Sequence, residues 1–245
     1  MGVPTLGCGC RVCTSPDPRD RRLRPSAAVK WNGHNVILDT GPDFRTQALD
    51  HGLKHIDAVF YTHSHADHIL GLDDLRPLSY KAKEKIPLYA DDATATVLET
   101  IFDYTFSEDS VYPLRARVSL NRLNGEESAE VCGATFQRIP LRHGPMETGG
   151  YRFGKAAYLT DMNAIPASSV PLLQGLDVVI IDALRFNHHP SHANVEEAIA
   201  WVDKIGAKHA WFTHMCHDIF HAEVEADMPP HIRLGYDGLS IPFEL

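Results

Sequence analysis

No run of apolar residues approaches the roughly 18 in a row that a membrane helix needs, so no helical span is expected. Positive charge is scarce: 23 Lys and Arg face 32 Asp and Glu, a net −9. That balance disfavours a nucleic-acid footprint while leaving room for a local basic pocket. No internal repeat, low-complexity tract or linker divides the 245 residues, and one domain spanning 1–245 with a sizeable core is expected. The opening "MGVPTLGCGCRVC" has neither a basic start nor an apolar stretch, so no secretory signal is expected and the cytoplasm is the default compartment. Cysteine is sparse and odd-numbered, five in all, with Cys8, Cys10 and Cys13 packed together. Such spacing strains disulfides and a reducing compartment disfavours them. Thiolate ligation of a metal reads better than redox-active or inert thiols.

What the chain has in excess is histidine, 15 residues. In "FYTHSHADHILG" (60–71), His63, His65, Asp67 and His68 follow directly on an apolar run. Buried in a packed core, each would need a partner or lose much free energy to desolvation. Either they line a solvated turn or a cation holds them together. A wider pattern favours the cation. Asp39 follows "NVIL", His63 "AVFYT", His143 "RIPLR", Asp161 "AAYLT" and His214 "HAWFT". If those strands are neighbours, their ends converge on one patch at a sheet edge.

The surrounding pattern is strand-rich with interspersed helices, which suggests sheets covered by helices. Asn32-Gly33 should turn a hairpin within "AAVKWNGHNVILDTG". Strands are predicted at "HIDAVFYTH", "IPLYA", "ATFQRIPL", "GGYRF", "AAYLTD", "LDVVIIDAL" and "HAWFTH", with a closing strand at "GLSIPF". "DDATATVLETIFDYTF" reads as a helix capped by Asp91 or Asp92. "NVEEAIAWVDKIG" reads as an amphipathic helix with Asn194 as N-cap, Glu197 three positions on and Gly206 as stop.

Imidazole and carboxylate ligands suit zinc, manganese or iron(II). The short H-x-H-x-D-H run has the residue types needed to divide ligands between two adjacent ions, and a carboxylate such as Asp161 can bridge them. Two ions about 3.5–4 Å apart activate a water and clamp the charge that develops on an attacked phosphoryl group or carbonyl.

"THSHADH", with "LDTG" before it and His143, Asp161 and His214 after it, resembles the metallo-β-lactamase superfamily. More narrowly, "GVPTLGCGCRVCTSPDPRDRRLRPSA" resembles the start of the phosphoribosyl 1,2-cyclic phosphate phosphodiesterases, and the likeness runs from Gly2 to the "GYDG" turn. The resemblance implies an α/β fold, a four-layer αβ/βα sandwich. It implies two divalent catalytic ions, Mn²⁺ or Zn²⁺: His63, His65 and His143 on the first, Asp67, His68 and His214 on the second, with Asp161 bridging. Asp67 thereby counts among the catalytic groups. Asp39 would orient ligands by hydrogen bonding, and His192 would pass a proton to the leaving oxygen. Cys8, Cys10 and Cys13 match three ligands of a separate structural zinc, with His217 as the fourth, tying residues 8–13 to the region of 217. Members of the subgroup begin with a further strand before the segment matching Gly2-Val3-Pro4. The implication is a start set too late, or a sandwich lacking its first strand.

The implied substrate is a small phosphorylated one, 5-phosphoribosyl 1,2-cyclic phosphate opening to ribose 1,5-bisphosphate. Other readings on the same core are a tRNA 3′-processing nuclease, against which the acidic balance speaks, and a lactone or thioester hydrolase. A non-catalytic, zinc-stabilised binding module is the reading from another class. No membrane partner is expected, and the oligomeric state stays open, a homodimer included. Residue by residue, plainer accounts also stand. Asp39 could simply start a turn, and His188 or His189 could be the proton donor instead. Cys216 could be the fourth zinc ligand, and Cys132 reads as a buried small hydrophobe. Arg19, Arg21, Arg22 and Arg24 read as a solvated face.

Overall fold

Asn32 and Gly33 both adopt left-handed φ, 45° and 85°, the tight-turn geometry that an Asn-Gly pair favours. The turn joins β1 (Ala27–Trp31) to antiparallel β2 (His34–Leu38), as the sequence predicts. The computed structural model describes residues 2–107, 109 and 111–245. They fall into two units, Arg24–Thr135 and the combination of Met1–Leu23 with Phe136–Leu245.

In the first of these, β2 is followed by α1 (Phe44–Asp50), β3 (Ala58–Phe60), α2 (Ala66–Ile69), α3 (Arg76–Ser79) and β4 (Ile86–Ala90). Then come α4 (Asp92–Ile101), α5 (Asp103–Phe106), β5 (Val118–Arg122) and β6 (Ser128–Val131). Strands β1 to β5 form a sheet in chain order, parallel from β2 onward. All three residues of β3 are buried, the continuous apolar run that a strand covered on both faces requires. Asp91 caps α4 by accepting from the Thr94 amide at 2.8 Å. The predicted single helix is interrupted at Phe102, whose backbone leaves the helical region at φ −109°, ψ 41°. Phe102 is buried in this unit's core, with Leu72, Leu75, Leu88 and Leu98.

The other unit is built on β7 (Ala134–His143), β8 (Met146–Phe153), β9 (Ala156–Leu159), β10 (Val178–Asp182), β11 (His209–Thr213) and β12 (Ile232–Leu234). These lie in the order β12-β11-β10-β9-β8-β7. β9, β10, β11 and β12 are parallel neighbours, and β8 runs antiparallel to both β7 and β9. The C-terminal ends of β7, β9, β10 and β11 therefore share one edge. α6 (Val195–Ile205) carries the full N-terminal device the sequence predicts. Asn194 accepts from the Glu197 amide while Glu197 accepts from the Asn194 amide, and left-handed Gly206 ends the helix. Val195, Ala198, Val202 and Ile205 are buried at helical spacing, each large apolar one contributing about 1.5–3 kcal/mol. α7 is His221–Asp227.

The closing strand expected at "GLSIPF" does not form, and the last strand is Ile232–Leu234. Despite its β-type composition, the tail is anchored at points rather than laddered. The Lys155 amide donates to the Glu244 carbonyl at 2.9 Å, and the Phe243 ring packs edge-on to Phe153 at 5.3 Å. Both sheets are flanked by helices, in keeping with the α/β class expected. No helix among the described residues is long and apolar enough to cross a membrane.

Candidate metal centres

Beyond β3 the chain bends at Thr62, passes through His63 and enters α2 with His65 at its N-cap. This short helix carries Asp67 and His68 in its first turn. The His63 ring sits 4.5 Å from that of His65 and 4.2 Å from that of His68. Two glycines permit the close backbone approach that holds α2 in place. A Cβ on Gly41 would meet the Asp67 carbonyl at 2.1 Å, and one on Gly71 would meet the Gly41 carbonyl at 2.2 Å. The Thr40 amide donates to the His68 carbonyl and the Gly71 amide to Thr40, both at 2.8 Å.

Asp39 organises the histidines. It follows β2 with a left-handed φ of 64°, unfavourable for a side chain by about 1–2 kcal/mol, though less so for Asp. Its carboxylate accepts from the Thr62 amide and from Thr62 Oγ1, each at 2.8 Å, and lies 2.7 Å from His68 Nδ1. Thr62 Oγ1 has a single proton, directed at Asp39. Its 3.0 Å contact with His63 Nδ1 is therefore one in which His63 donates. Both rings thus carry their proton on Nδ1, leaving the Nε2 lone pair as the metal-binding position. Burial pushes the Asp39 carboxyl up, against the opposing pull of His68 and the Thr62 bonds.

The other unit repeats the device. Asp161 and His214 follow β9 and β11 with left-handed φ of 52° and 59°. His143 closes β7 and directs Nδ1 at the Ser191 carbonyl, 2.7 Å away. A carbonyl only accepts, so Nδ1 holds the proton and Nε2 the lone pair. Asp161 Oδ1 lies 3.3 Å from His214 Nε2. His192 stacks on His214 at 4.7 Å and 14° and meets His143 edge-on at 4.6 Å. Its Nε2 lies 4.0 Å from Asp161 Oδ2, while its Nδ1 donates to Asp182 Oδ2 at 2.7 Å. Asp161, Asp182, His192 and His214 offer ligand atoms all within 4.8 Å of one another.

Sequence reasoning missed Asp182. It ends "DVVIID" as Asp161 ends "AAYLTD", a further instance of the strand-end pattern. It is fully buried and also accepts from the Met162 amide at 3.0 Å. Of the alternative proton donors, His188 is exposed beside Glu197 at 3.5 Å. His189 has its ring 5.0 Å from that of His192.

Cys8, Cys10 and Cys13 come together with His217. Their sulfurs lie 3.2, 3.7 and 3.5 Å from His217 Nδ1. A zinc tetrahedron with bonds of about 2.0–2.3 Å has edges of about 3.3–3.8 Å, so this donor set fits zinc as it stands. The Cys13 amide bond to Cys10 sulfur holds the Cys10 thiol down at about 6, leaving it largely thiolate at neutral pH. Cys216 is not part of this set, and its sulfur accepts from the Asp218 amide instead. The left-handed turn at His214 lets one short loop serve both clusters, His214 facing Asp161 and His217 facing the cysteines.

Two other expectations need correction. The arginines do not form a uniformly free solvated face, although Arg21 is exposed as expected. Arg22 is buried, paired with Asp20 at 3.2 Å and donating to the Ile219 carbonyl at 2.8 Å. Arg19 pairs with Asp17, and Arg24 with Asp43. Cys132 is exposed, with a left-handed φ of 50°, because it forms a turn with Gly133 and not part of a strand.

Residues 34–215 match the beta-lactamase superfamily domain. A crystal structure described as a new diphosphatase from the PhnP family superposes with a TM-score of 0.93 at 48% identity, covering 100% of this chain and 94% of that one. An octanoyltransferase of Porphyromonas gingivalis is 36% identical over 97% of this chain and 48% of its own length. A ribonuclease Z of Clostridium acetobutylicum is 38% identical over 31% of this chain and 23% of its own length. The chain thus spans about half or less of these two relatives. The two-sheet architecture, the strand-end ligands and the match over most of the length agree: the chain belongs to the beta-lactamase superfamily.

Proposed function

We propose that the chain is a metal-dependent hydrolase of a small phosphate ester, a single domain over 1–245 whose first candidate substrate is a cyclic phosphodiester. 5-Phosphoribosyl 1,2-cyclic phosphate opening to ribose 1,5-bisphosphate is the specific case. In this reading His63, His65 and His143 hold one divalent ion. Asp67, His68 and His214 hold a second, and Asp161 serves both, with zinc or manganese as the metal. Such a pair, when bound, supplies an activated water and neutralises charge on the phosphoryl oxygens.

The observation that carries the reading is the Asp182–His192 pair at 2.7 Å, beside a carboxylate of the metal-ligand type. Asp182 fixes the ring by accepting from Nδ1 and would stabilise the imidazolium. Nε2 can then carry a proton to the departing sugar oxygen, a step worth about 10²–10⁴ in rate. Water supplies the new P–O bond, the P–O bond to the sugar breaks, and the proton on Nε2 ends on that oxygen. In this reading the cysteine set with His217 binds a structural zinc that moors the N-terminal segment. The 48% identical PhnP-family structure supports the phosphoryl class.

That structure's description as a diphosphatase favours a second reading, hydrolysis of a diphosphate bond. Phosphorus NMR of the zinc- or manganese-loaded enzyme separates the two. Ring opening converts a cyclic diester signal to a monoester without loss of phosphate, whereas diphosphate cleavage divides the phosphorus between two products. Failure on cyclic phosphates, bis(p-nitrophenyl) phosphate and diphosphates alike would defeat the phosphoryl reading.

A further inference from the structure

Away from the clusters described above, the unit of Arg24–Thr135 brings together three side chains of different ligand chemistry. An imidazole nitrogen of His34, a carboxylate oxygen of Asp57 and the sulfur of Cys132 lie within 4.8 Å of one another. They come from three separate places in the chain. His34 opens β2 just past the Asn32-Gly33 turn, Asp57 immediately precedes β3, and Cys132 stands at the left-handed turn after β6.

Asp57 is already fixed. Its Oδ2 accepts from the Asn35 amide at 2.7 Å, and its own amide donates to the Asn35 carbonyl at 2.8 Å. Its Oδ1 lies 3.4 Å from His34 Nδ1. Desolvation, then the charge of Asp57 and a hydrogen bond to it, push the Cys132 thiol up. A left-handed non-glycine residue on an exposed turn is uncommon. Here it aims the sulfur back toward an acid and an imidazole.

We propose that His34, Asp57 and Cys132 form a surface binding site for a borderline-soft divalent cation, zinc above all, separate from the hydrolytic and cysteine-rich centres. Nitrogen, oxygen and sulfur together suit zinc better than magnesium or calcium, which take oxygen alone. A tetrahedral zinc asks for ligand separations of about 3.3–3.8 Å. His34 Nδ1 already stands 3.4 Å from Asp57 Oδ1, and the exposed Cys132 thiol lies within 4.8 Å of both. The fourth position falls to water, because the Nε2 of nearby His55 donates to the Gly33 carbonyl at 2.8 Å. Binding replaces the thiol proton by the metal and releases that proton to solvent. The bound ion would tie the β1–β2 turn, the head of β3 and the turn after β6 to one point.

The test is alkylation of Cys132 by iodoacetamide, followed by peptide mass spectrometry, on protein loaded with metal and then dialysed free of loosely bound ions, with and without micromolar free zinc. The expected result is about tenfold slower labelling of Cys132 in zinc, because a metal-bound thiolate reacts poorly. His34→Ala should abolish that protection. Equilibrium dialysis should find one zinc fewer in Cys132→Ser than in the wild type, at unchanged turnover. Equal labelling with and without zinc, protection that survives His34→Ala, or equal zinc content in Cys132→Ser would overturn the proposal. Because turnover is read in the same samples, failure of this site is distinguishable from failure of the proposed hydrolytic centre.

Discussion

The unit containing Phe136–Leu245 holds two ligand clusters that share one loop yet differ in almost every physical respect. The cysteine set is soft and offers four donors, its three sulfurs already 3.2–3.7 Å from the shared imidazole nitrogen. It draws on a turn-rich N-terminal segment with a small core of its own, Val3, Val12 and Cys13. The set of Asp161, His192 and His214 mixes oxygen and nitrogen donors and is largely buried. Its backbone is strained at Asp161 and His214, and a carboxylate behind His192 fixes the direction of the proton. A closed soft tetrahedron holds a segment in place. An open arrangement of nitrogen and oxygen donors leaves room for a substrate and suits chemistry. Backbone strain is concentrated in the second cluster, where precise aim matters.

The sharpest way to break this comparison is Asp161→Ala. On the proposed reading turnover falls by at least about 10³-fold, the scale of losing a group that organises transition-state charge. The zinc on the cysteines is retained. Turnover by stopped assay and metal content by mass spectrometry check both halves. Asp182→Asn comes next. An amide in place of the carboxylate loosens control of the imidazole proton, with an expected kcat loss of about 10²-fold. The pH profile should shift where a purely structural role would leave it in place. Cys10→Ser should spare the chemistry of each properly folded molecule but remove one zinc. Since structural zinc binding is coupled to folding, a fall in Tm of more than about 10 °C is expected at the 2–4 °C per kcal/mol typical of this size. Acidification should release this zinc as protons compete for the thiolates. Away from both clusters, Asn194→Ala removes the α6 cap, a loss of about 1 kcal/mol. A Tm shift of about 2–4 °C with unchanged turnover should follow.

Much of the site was legible because strand periodicity and ligand chemistry can be read along the chain. A hydrophobic run followed by one His or Asp announces a strand end, and parallel neighbours bring such ends to one edge. That logic reached Asp39, His143, Asp161 and His214. It passed over Asp182, which looks like the last residue of its own strand. The left-handed backbone at Asp39, Asp161 and His214 has no sequence signature, since none is glycine, and only the tertiary contacts around them impose it. The α6 boundaries were readable because a capping box and a C-terminal glycine are local devices. Three-residue β12 and the unladdered tail at "GLSIPF" were not, because pairing partners decide those segments and propensity does not. Cys132 was misread for a related reason: "VCGATF" looks like a continuous strand until the turn is seen.

The most direct test counts metal in the wild type, His65→Ala and Cys10→Ser, purified in parallel and assayed for phosphodiester cleavage. Separate centres predict that His65→Ala loses turnover and metal from the hydrolytic site while keeping the cysteine-bound zinc. Cys10→Ser should lose that zinc alone. If both variants lose the same ion, the division into a structural and a hydrolytic centre is contradicted.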